Sequence, residues 1–448
     1  MREPYHVKKI GQPINWEVEV PGSKSMTNRA LLMAALTEGT VELDGVLFSD
    51  DSRHFLSCLS QLGFQVEIQE SERHVTVEGC NGRIPKSEAE INVGSAGTAA
   101  RFLTAMLGFS DGTYTIQASE QMKKRPMETL FALLKEAGAS ITYLEEEGHL
   151  PIRIQGCKSG NKAVCLDLDI SKSTQFLSAL LLISPMFKQG LKIHITSEKK
   201  TGSYIRITQQ MLESAGVKVS FNGTDYEVAP GAAYGKYQYQ IEPDVSAACY
   251  FYAAAAITGG RALVKNVHWD NSQGDMNFLK VLEQMGCRVF EQESGIEVIG
   301  PAMGSLFGIT VNMNDFSDQA LTLAAIAPFA SETVRIEGIG HIRLQECDRL
   351  HAMAQELSKR GILCAEEKSA ITIYPGNPKP GLVETYEDHR VAMAFSLLGL
   401  RAEGIVINNP DCCKKTFEEY FDVLSKLTET AETGNLWQSF GMEEKCTN

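Results

Sequence analysis

The sequence predicts an α/β protein of two similar domains, each three βαβαββ units around buried helices, an α/β barrel turned inside out. Three observations carry that expectation. Six polar clusters recur at intervals of about 71 to 76 residues, at Lys24-Ser25, Gly97-Thr98, Ser173-Thr174, Ser246, Asp318 and His389. Every cluster runs into a helix with almost no polar face, as in Ala30 to Leu36, Ala253 to Ile257 and Leu321 to Ala327. A β-prone run and a second, amphipathic helix then follow. A fixed period of this kind means one supersecondary unit copied along the chain.

The elements of the unit follow in order. All-round apolar helices of about 12 residues are buried in protein rather than lipid. Behind them come Val41-Glu42-Leu43, Thr113 to Ile116, Leu191 to Ile195, Ala262-Leu263-Val264, Thr333 to Ile336 and Ile405-Val406-Ile407. The second helices place apolar residues at i, i+3, i+4 and i+7, as in Phe55, Leu56, Leu59 and Leu62, or Phe278, Leu279, Leu282 and Met285. Five of the six end in a glycine that can adopt the left-handed cap: Gly63, Gly138, Gly216, Gly286 and Gly361. Runs such as Phe64 to Ile68 and Ala139 to Thr142 read as the closing strands. Crossings near Pro21-Gly22 and Glu242-Pro243 divide the chain into one globe of residues 23–240 and another of 1–22 plus 241–448. The polar tail from about Thr430 reads as an appendage.

Composition narrows the function classes. A net charge of −14 argues against a nucleic-acid partner, while an acidic body with local cationic clusters suits small anionic substrates. No apolar stretch reaches the length of a membrane span, and the first residues lack a secretory signal, so the expected compartment is the cytoplasm. Eleven cysteines without metal-ligand spacing read as free thiols, and nine scattered histidines suggest no metal site.

The clusters sit at helix N-termini, where free N–H groups and the macrodipole favour anions. If the six starts converge, they form an anion trap. Lys24 and Ser25 open the first helix, with Arg29 one turn in, but Ser23 breaks the nucleotide-loop pattern, and an ordinary cap explains the serine equally. Gly94 to Arg101 offers small residues for close ligand approach, or simply for tight packing. Arg125 either clamps an anion or belongs to a solvated basic run. Ser173, Thr174 and Gln175 suit sugar hydroxyls or phosphate; Thr201 and Tyr204 open the next helix. Asp318 reads as an N-cap or as a functional acid, and Glu346 with Arg349 as a surface helical pair or as part of a site. Asp388-His389-Arg390 drives an arginine into a buried helix, where it needs a partner, and Lys414-Lys415 follow. An anionic ligand would supply that partner.

These residues resemble the enolpyruvyl transferases. The matching stretches are PGSKSMTNRALL at 21–32, GSAGTAARF at 94–102, KKRPM at 123–127, STQFLSALL at 173–181, QGD at 273–275, QECDRL at 345–350, TYEDHRVAM at 385–393 and KKTF at 414–417. Their order and spacing run over about residues 10–427 and are closest to members that act on shikimate 3-phosphate. The resemblance implies two domains closing on ligands between them. It also implies transfer of enolpyruvyl from phosphoenolpyruvate to the 5-hydroxyl of shikimate 3-phosphate, through a tetrahedral ketal phosphate. No metal or organic cofactor takes part, and the implied protein is a monomer. It further implies that Lys24, Gly97, Arg125, Gln175, Arg349, Arg390 and Lys415 hold phosphoenolpyruvate. Shikimate 3-phosphate would fall to Lys24, Ser25, Arg29, Ser173, Thr174, Gln175, Thr201, Tyr204, Asp318, His341 and Gln345. Asp318 would take the hydroxyl proton, and Glu346 and Lys24 would move the proton at the methylene carbon.

Several positions depart from the family pattern. Gln345 stands where many members carry a lysine, His341 and Ser95 replace asparagines, and Thr174 replaces a serine. Gly97 leaves room for the inhibitor glyphosate. The nearest rival is the sister enzyme that loads a UDP-amino sugar, but residues 108 to 124 lack its loop cysteine. A catalytically dead anion binder is the other, encouraged by Gln345 and opposed by Asp318 and Glu346.

Overall fold

Apolar side chains on every face of a helix can be satisfied only by surrounding it with protein. In the computed structural model, which describes residues 3–157, 163–235, 237–302 and 305–433, six such helices fill two separate cores. Lys24–Leu36, Gly97–Gly108 and Gln175–Leu182 pack on one another inside the first. Val245–Thr258, Ala320–Ile326 and His389–Arg401 do so inside the second. The first core runs from Met26 to Ile241, and the second joins Val7–Val20 to Val245–Leu424. Sheets and amphipathic helices wrap each trio, so the architecture is the expected two-globed α/β fold with helices inside.

Among the described residues, five sheets have four strands and one has three. In the sheet Val164–Leu168, Leu191–Ile195, Asp225–Val228, Val219–Phe221, the first pair is parallel and the others antiparallel. The parallel pair flanks the buried helix Gln175–Leu182, and the antiparallel pair returns after Ser203–Ser214. Gly63, Gly138, Gly216, Gly286 and Gly361 all have positive φ, as the capping argument requires.

The sixth unit departs from the βαβαββ expectation. After Gly381–Val383, His389–Arg401, Ile405–Ile407 and Tyr420–Thr433, no closing strands follow among the described residues. The third strand of that sheet is instead Tyr5–His6, paired antiparallel with Ile405–Ile407. The polar tail predicted from about residue 430 begins inside the last helix, and residues 434–448 lie outside the described residues.

The chain passes between the globes twice, and strands on either side of the crossings show where. Asn15–Val18 runs parallel to Arg261–Lys265 in the second globe, and Gln238–Gln240 parallel to Glu38–Asp44 in the first. The crossing segments lie side by side, bridged at Gly22 and Pro243, with Ser23 N to Glu242 O and Asp244 N to Pro21 O both 2.8 Å. A Cβ at residue 22 would sit 2.0 Å from the Gly45 carbonyl oxygen, so only glycine fits that crossing. Among the described residues no helix is long and apolar enough to cross a membrane.

Candidate active site

All six buried helices point their N-termini into one cleft between the globes. Lys24, Gly97, Gln175, Ser246, Asp318 and His389 line the same cavity, one from each unit. A second cavity opens from it toward Ser173, Thr174, Lys199 and His341, and the two share Arg125, Gln175, Tyr204, Asp275, Asp318 and Gln345.

The tips are not equivalent, contrary to the simple repeat picture. Asp244 and Asp388 cap their own helices in the second globe, accepting from Ser246 N and Arg390 N, each at 2.9 Å. Asp318 lies in the short turn just before the remaining helix of that globe, Ala320–Ile326. Lys24, Gly97 and Gln175 receive no side-chain cap from the residue before them. One wall of the cleft therefore presents open helix tips and hydroxyls, and the other presents carboxylates held by arginines.

Arg349 organises the acidic wall. Its guanidinium places Nε 2.7 Å from Asp388 Oδ2, Nη1 2.9 Å from Asp318 Oδ1 and Nη2 2.9 Å from Glu346 Oε2. It also donates to Gln345 Oε1. Glu346 and Arg349 are thus a buried pair rather than a surface one, with side-chain exposures of 9% and 2%. Asp318 does not cap its helix; it accepts from Arg390 Nη2 at 3.0 Å and from the Tyr204 hydroxyl at 2.5 Å.

Glu346 is where the globes' charges meet. Its Oε1 lies 3.3 Å from Lys415 Nζ and 3.7 Å from Arg125 Nη1, so Arg125 faces the cleft and is not a solvated cation. Burial pushes the Glu346 carboxyl up, but Lys415, Arg349, Arg125 and Lys24 outweigh it and hold the group well below the carboxylate range. The balance is similar at Asp318: burial raises it, and Arg390 and Arg349 bring it below its ordinary value. Both are ionised near neutral pH.

Lys24 pairs with Asp51 at 3.4 Å. Arg29 is buried, borders the cavity and spends most of its donors inside the protein, on Thr208 Oγ1 at 2.9 Å, Ser25 O at 2.7 Å and Tyr204 O at 3.2 Å. Ser173 Oγ accepts from Gln175 N at 3.2 Å, and Ser173 and Thr174 both line the second cavity. His341 Nε2 meets Ser317 Oγ at 2.8 Å, and burial pushes its pKa down to about 4, so it is neutral. Thr201 is exposed and outside the lining of both cavities.

Three buried groups escaped the sequence reading. Asp275 lies inside the QGD stretch and accepts from Ser246 Oγ and Gln319 Nε2, each at 3.0 Å. Burial, reinforced by the Asp318 charge, pushes it up to about 6. Arg101 donates to Gly97 O and Gln175 Oε1, both at 3.0 Å, and so orients Gln175. Asp388 anchors Arg349. Each stood within a quoted motif, but only three-dimensional proximity singles it out. Among the described residues, no group of three His, Cys, Asp or Glu side chains is placed to hold a metal ion.

Taken together, the two trios of buried helices and the cation-lined cleft between them define an α/β transferase of the enolpyruvyl-transfer type. The whole-chain sequence model described as EPSP synthase (3-phosphoshikimate 1-carboxyvinyltransferase) matches residues 8–424, and the chain belongs to that family. The 3-phosphoshikimate 1-carboxyvinyltransferase of Nostoc punctiforme is 40% identical over 426 residues, covering 94% of this chain and 99% of that protein. Its counterpart in Sulfurovum is 41% identical over 421 residues, covering 93% and 97%. Among solved structures, EPSP synthase from Acinetobacter baumannii superposes with a TM-score of 0.78 at 25% identity, covering 96% of this chain and 98% of that one. The enolpyruvyl transferase NikO from Streptomyces tendae shares the fold, with a TM-score of 0.72 at 15% identity over 95% and 97% of the two chains.

Proposed function

We propose that this cleft joins phosphoenolpyruvate to the 5-hydroxyl of shikimate 3-phosphate and releases phosphate. The observation that carries this reading is Glu346, a buried carboxylate ringed by Lys415, Arg349 and Arg125 from both globes. Phosphoenolpyruvate carries roughly three negative charges near neutral pH, so several cations must neutralise it before an alcohol can attack. Lys24, Arg125, Arg349, Arg390 and Lys415 supply them, and Gly97 and Gln175 border the same space. Ser25, Arg29, Ser173, Thr174, Tyr204, His341 and Gln345 hold the acceptor, and Thr201 joins them only if its loop turns inward.

Asp318 removes the proton as the 5-hydroxyl oxygen bonds to C2 of phosphoenolpyruvate, while C3 gains a proton. Elimination then breaks the C2–O bond to phosphate, and the methyl carbon returns its proton. Glu346 is poorly suited to carry that proton while three cations face it. The ligand's own anionic groups engage those cations, so the Glu346 carboxyl rises as the substrate enters. Lys24, on the opposite wall of the same cavity, shares the task.

We place the reaction in the cytoplasm on cysteine usage, eleven thiols without framework spacing. A phosphate-release assay with each acceptor tests the whole reading. Turnover is expected with shikimate 3-phosphate and not with UDP-N-acetylglucosamine; the reverse pattern would give the cleft to the sister reaction.

A further inference from the structure

The hydroxyl end of the cleft contains two lysines that no step above uses, Lys172, which is exposed, and Lys199. Lys199 lies on the loop between Leu191–Ile195 and Ser203–Ser214, half-buried, and lines the cavity with Ser173, Thr174 and His341. Its Nζ donates to Asn314 Oδ1 of the other globe at 2.9 Å. It makes no ion pair within 4.0 Å among the described residues, and neighbouring Asp315 is taken by Arg206 at 3.3 Å. A Cβ built on Gly202 would lie 3.5 Å from Thr174 Cγ2 and 3.9 Å from Lys199 Nζ, so both side chains border Gly202 at this end of the cleft.

Of the other groups around this end, Lys172 is exposed to solvent and the buried cations are already engaged. Arg101 is turned to Gly97 O and Gln175, and Arg125 to Glu346. His341 is neutral and Gln345 uncharged. A phosphate monoester carries about −1.5 to −2 charge at neutral pH, and hydroxyl donors alone do not balance it. An ammonium has three donors; Asn314 takes one, which leaves two for phosphate oxygens.

We propose that Lys199 binds the 3-phosphate of the acceptor, together with Ser173 and Thr174; the assignment rests on the reading of the cleft given above. Because the same ammonium reaches Asn314, a phosphate held there ties the two globes together. Burial lowers the Lys199 ammonium below its ordinary value, and a partly desolvated cation gains more from an anionic partner.

The test compares Lys199→Gln and Lys199→Arg with the wild type, using shikimate 3-phosphate and unphosphorylated shikimate as acceptors. Glutamine keeps an N–H for Asn314 and removes only the charge. Its KM and calorimetric Kd for shikimate 3-phosphate are expected to rise about 10- to 100-fold, the range for a lost charged hydrogen bond. The KM for phosphoenolpyruvate should stay within about threefold, as should kcat/KM with shikimate, and Lys199→Arg should recover most of the loss. Equal losses with both acceptors would assign Lys199 a structural role and overturn the proposal. So would an unmoved KM for shikimate 3-phosphate in an active enzyme. A wild-type protein inactive with both acceptors would instead bring down the reading of the cleft, and this proposal with it.

Discussion

The Tyr204 hydroxyl donates to Asp318 Oδ2 at 2.5 Å, and the two residues belong to different globes. The carboxylate assigned as base is therefore finished only when the globes come together. Its other partners, Arg349 and Arg390, come from its own side. Replacing Tyr204 by phenylalanine keeps the ring over Arg29 and removes the cross-cleft donor. The expected result is a 10- to 100-fold fall in kcat/KM for shikimate 3-phosphate, the range for a hydrogen bond to a charged group. Steady-state kinetics checks it, and an unchanged kcat/KM would show the contact to be idle.

Gly97 sets the shape of the donor pocket. A Cβ there would lie 2.5 Å from Arg125 Nη1 and 2.8 Å from Arg101 Nη1. Gly97→Ala must displace Arg125, so the KM for phosphoenolpyruvate should rise about tenfold or more, with the acceptor KM moving much less. An alanine enzyme with an unaltered phosphoenolpyruvate KM would disprove this placement of Arg125.

Asp388 caps His389–Arg401 and holds Arg349 by two contacts, Nε at 2.7 Å and Nη2 at 3.2 Å. Removing one member of a buried pair strands its partner, at a cost of about 3 to 5 kcal/mol. Asp388→Ala should lose about 3 kcal/mol or more of unfolding free energy by this mechanism. Urea titration reads the loss, and a change below about 1 kcal/mol would mean that Asp318 and Glu346 suffice to hold Arg349.

Asp275 predicts a pH effect of definite sign. Its carboxyl titrates at about 6 in the folded chain, against about 3.9 when unfolded. Between those values the unfolded chain has released the proton and the folded chain keeps it, so this residue's contribution to stability falls as pH rises. Asp275→Asn abolishes that slope, and its stability relative to wild type should climb from about pH 4 to about pH 6. A difference that stays flat across this window would place Asp275 in the ordinary carboxylate range.

What was legible in the sequence was what local rules control. Ala30 to Leu36 announces a buried helix because an all-apolar stretch of that length has nowhere else to go. Gly63 and Gly286 mark helix ends because the left-handed cap excludes most side chains. Repetition then placed Lys24, Gly97, Gln175 and Asp318 at comparable helix starts. What escaped depends on distant contacts. The borrowed strand Tyr5–His6 has no local signature. Glu346 with Arg349 satisfies a surface-pair pattern, and only the arrival of Asp318, Asp388, Lys415 and Arg125 around them makes a site. Asp275, one residue of the QGD stretch, is singled out only by its burial beside Asp318.

The most direct test of the account is Asp318→Asn, assayed for phosphate release and, separately, for shikimate 3-phosphate binding by calorimetry. With Asp318 as the base, turnover should fall by about 10²- to 10⁴-fold, while acceptor affinity stays within about tenfold. Turnover near the wild-type rate would contradict it, because the hydroxyl proton would then leave by another route.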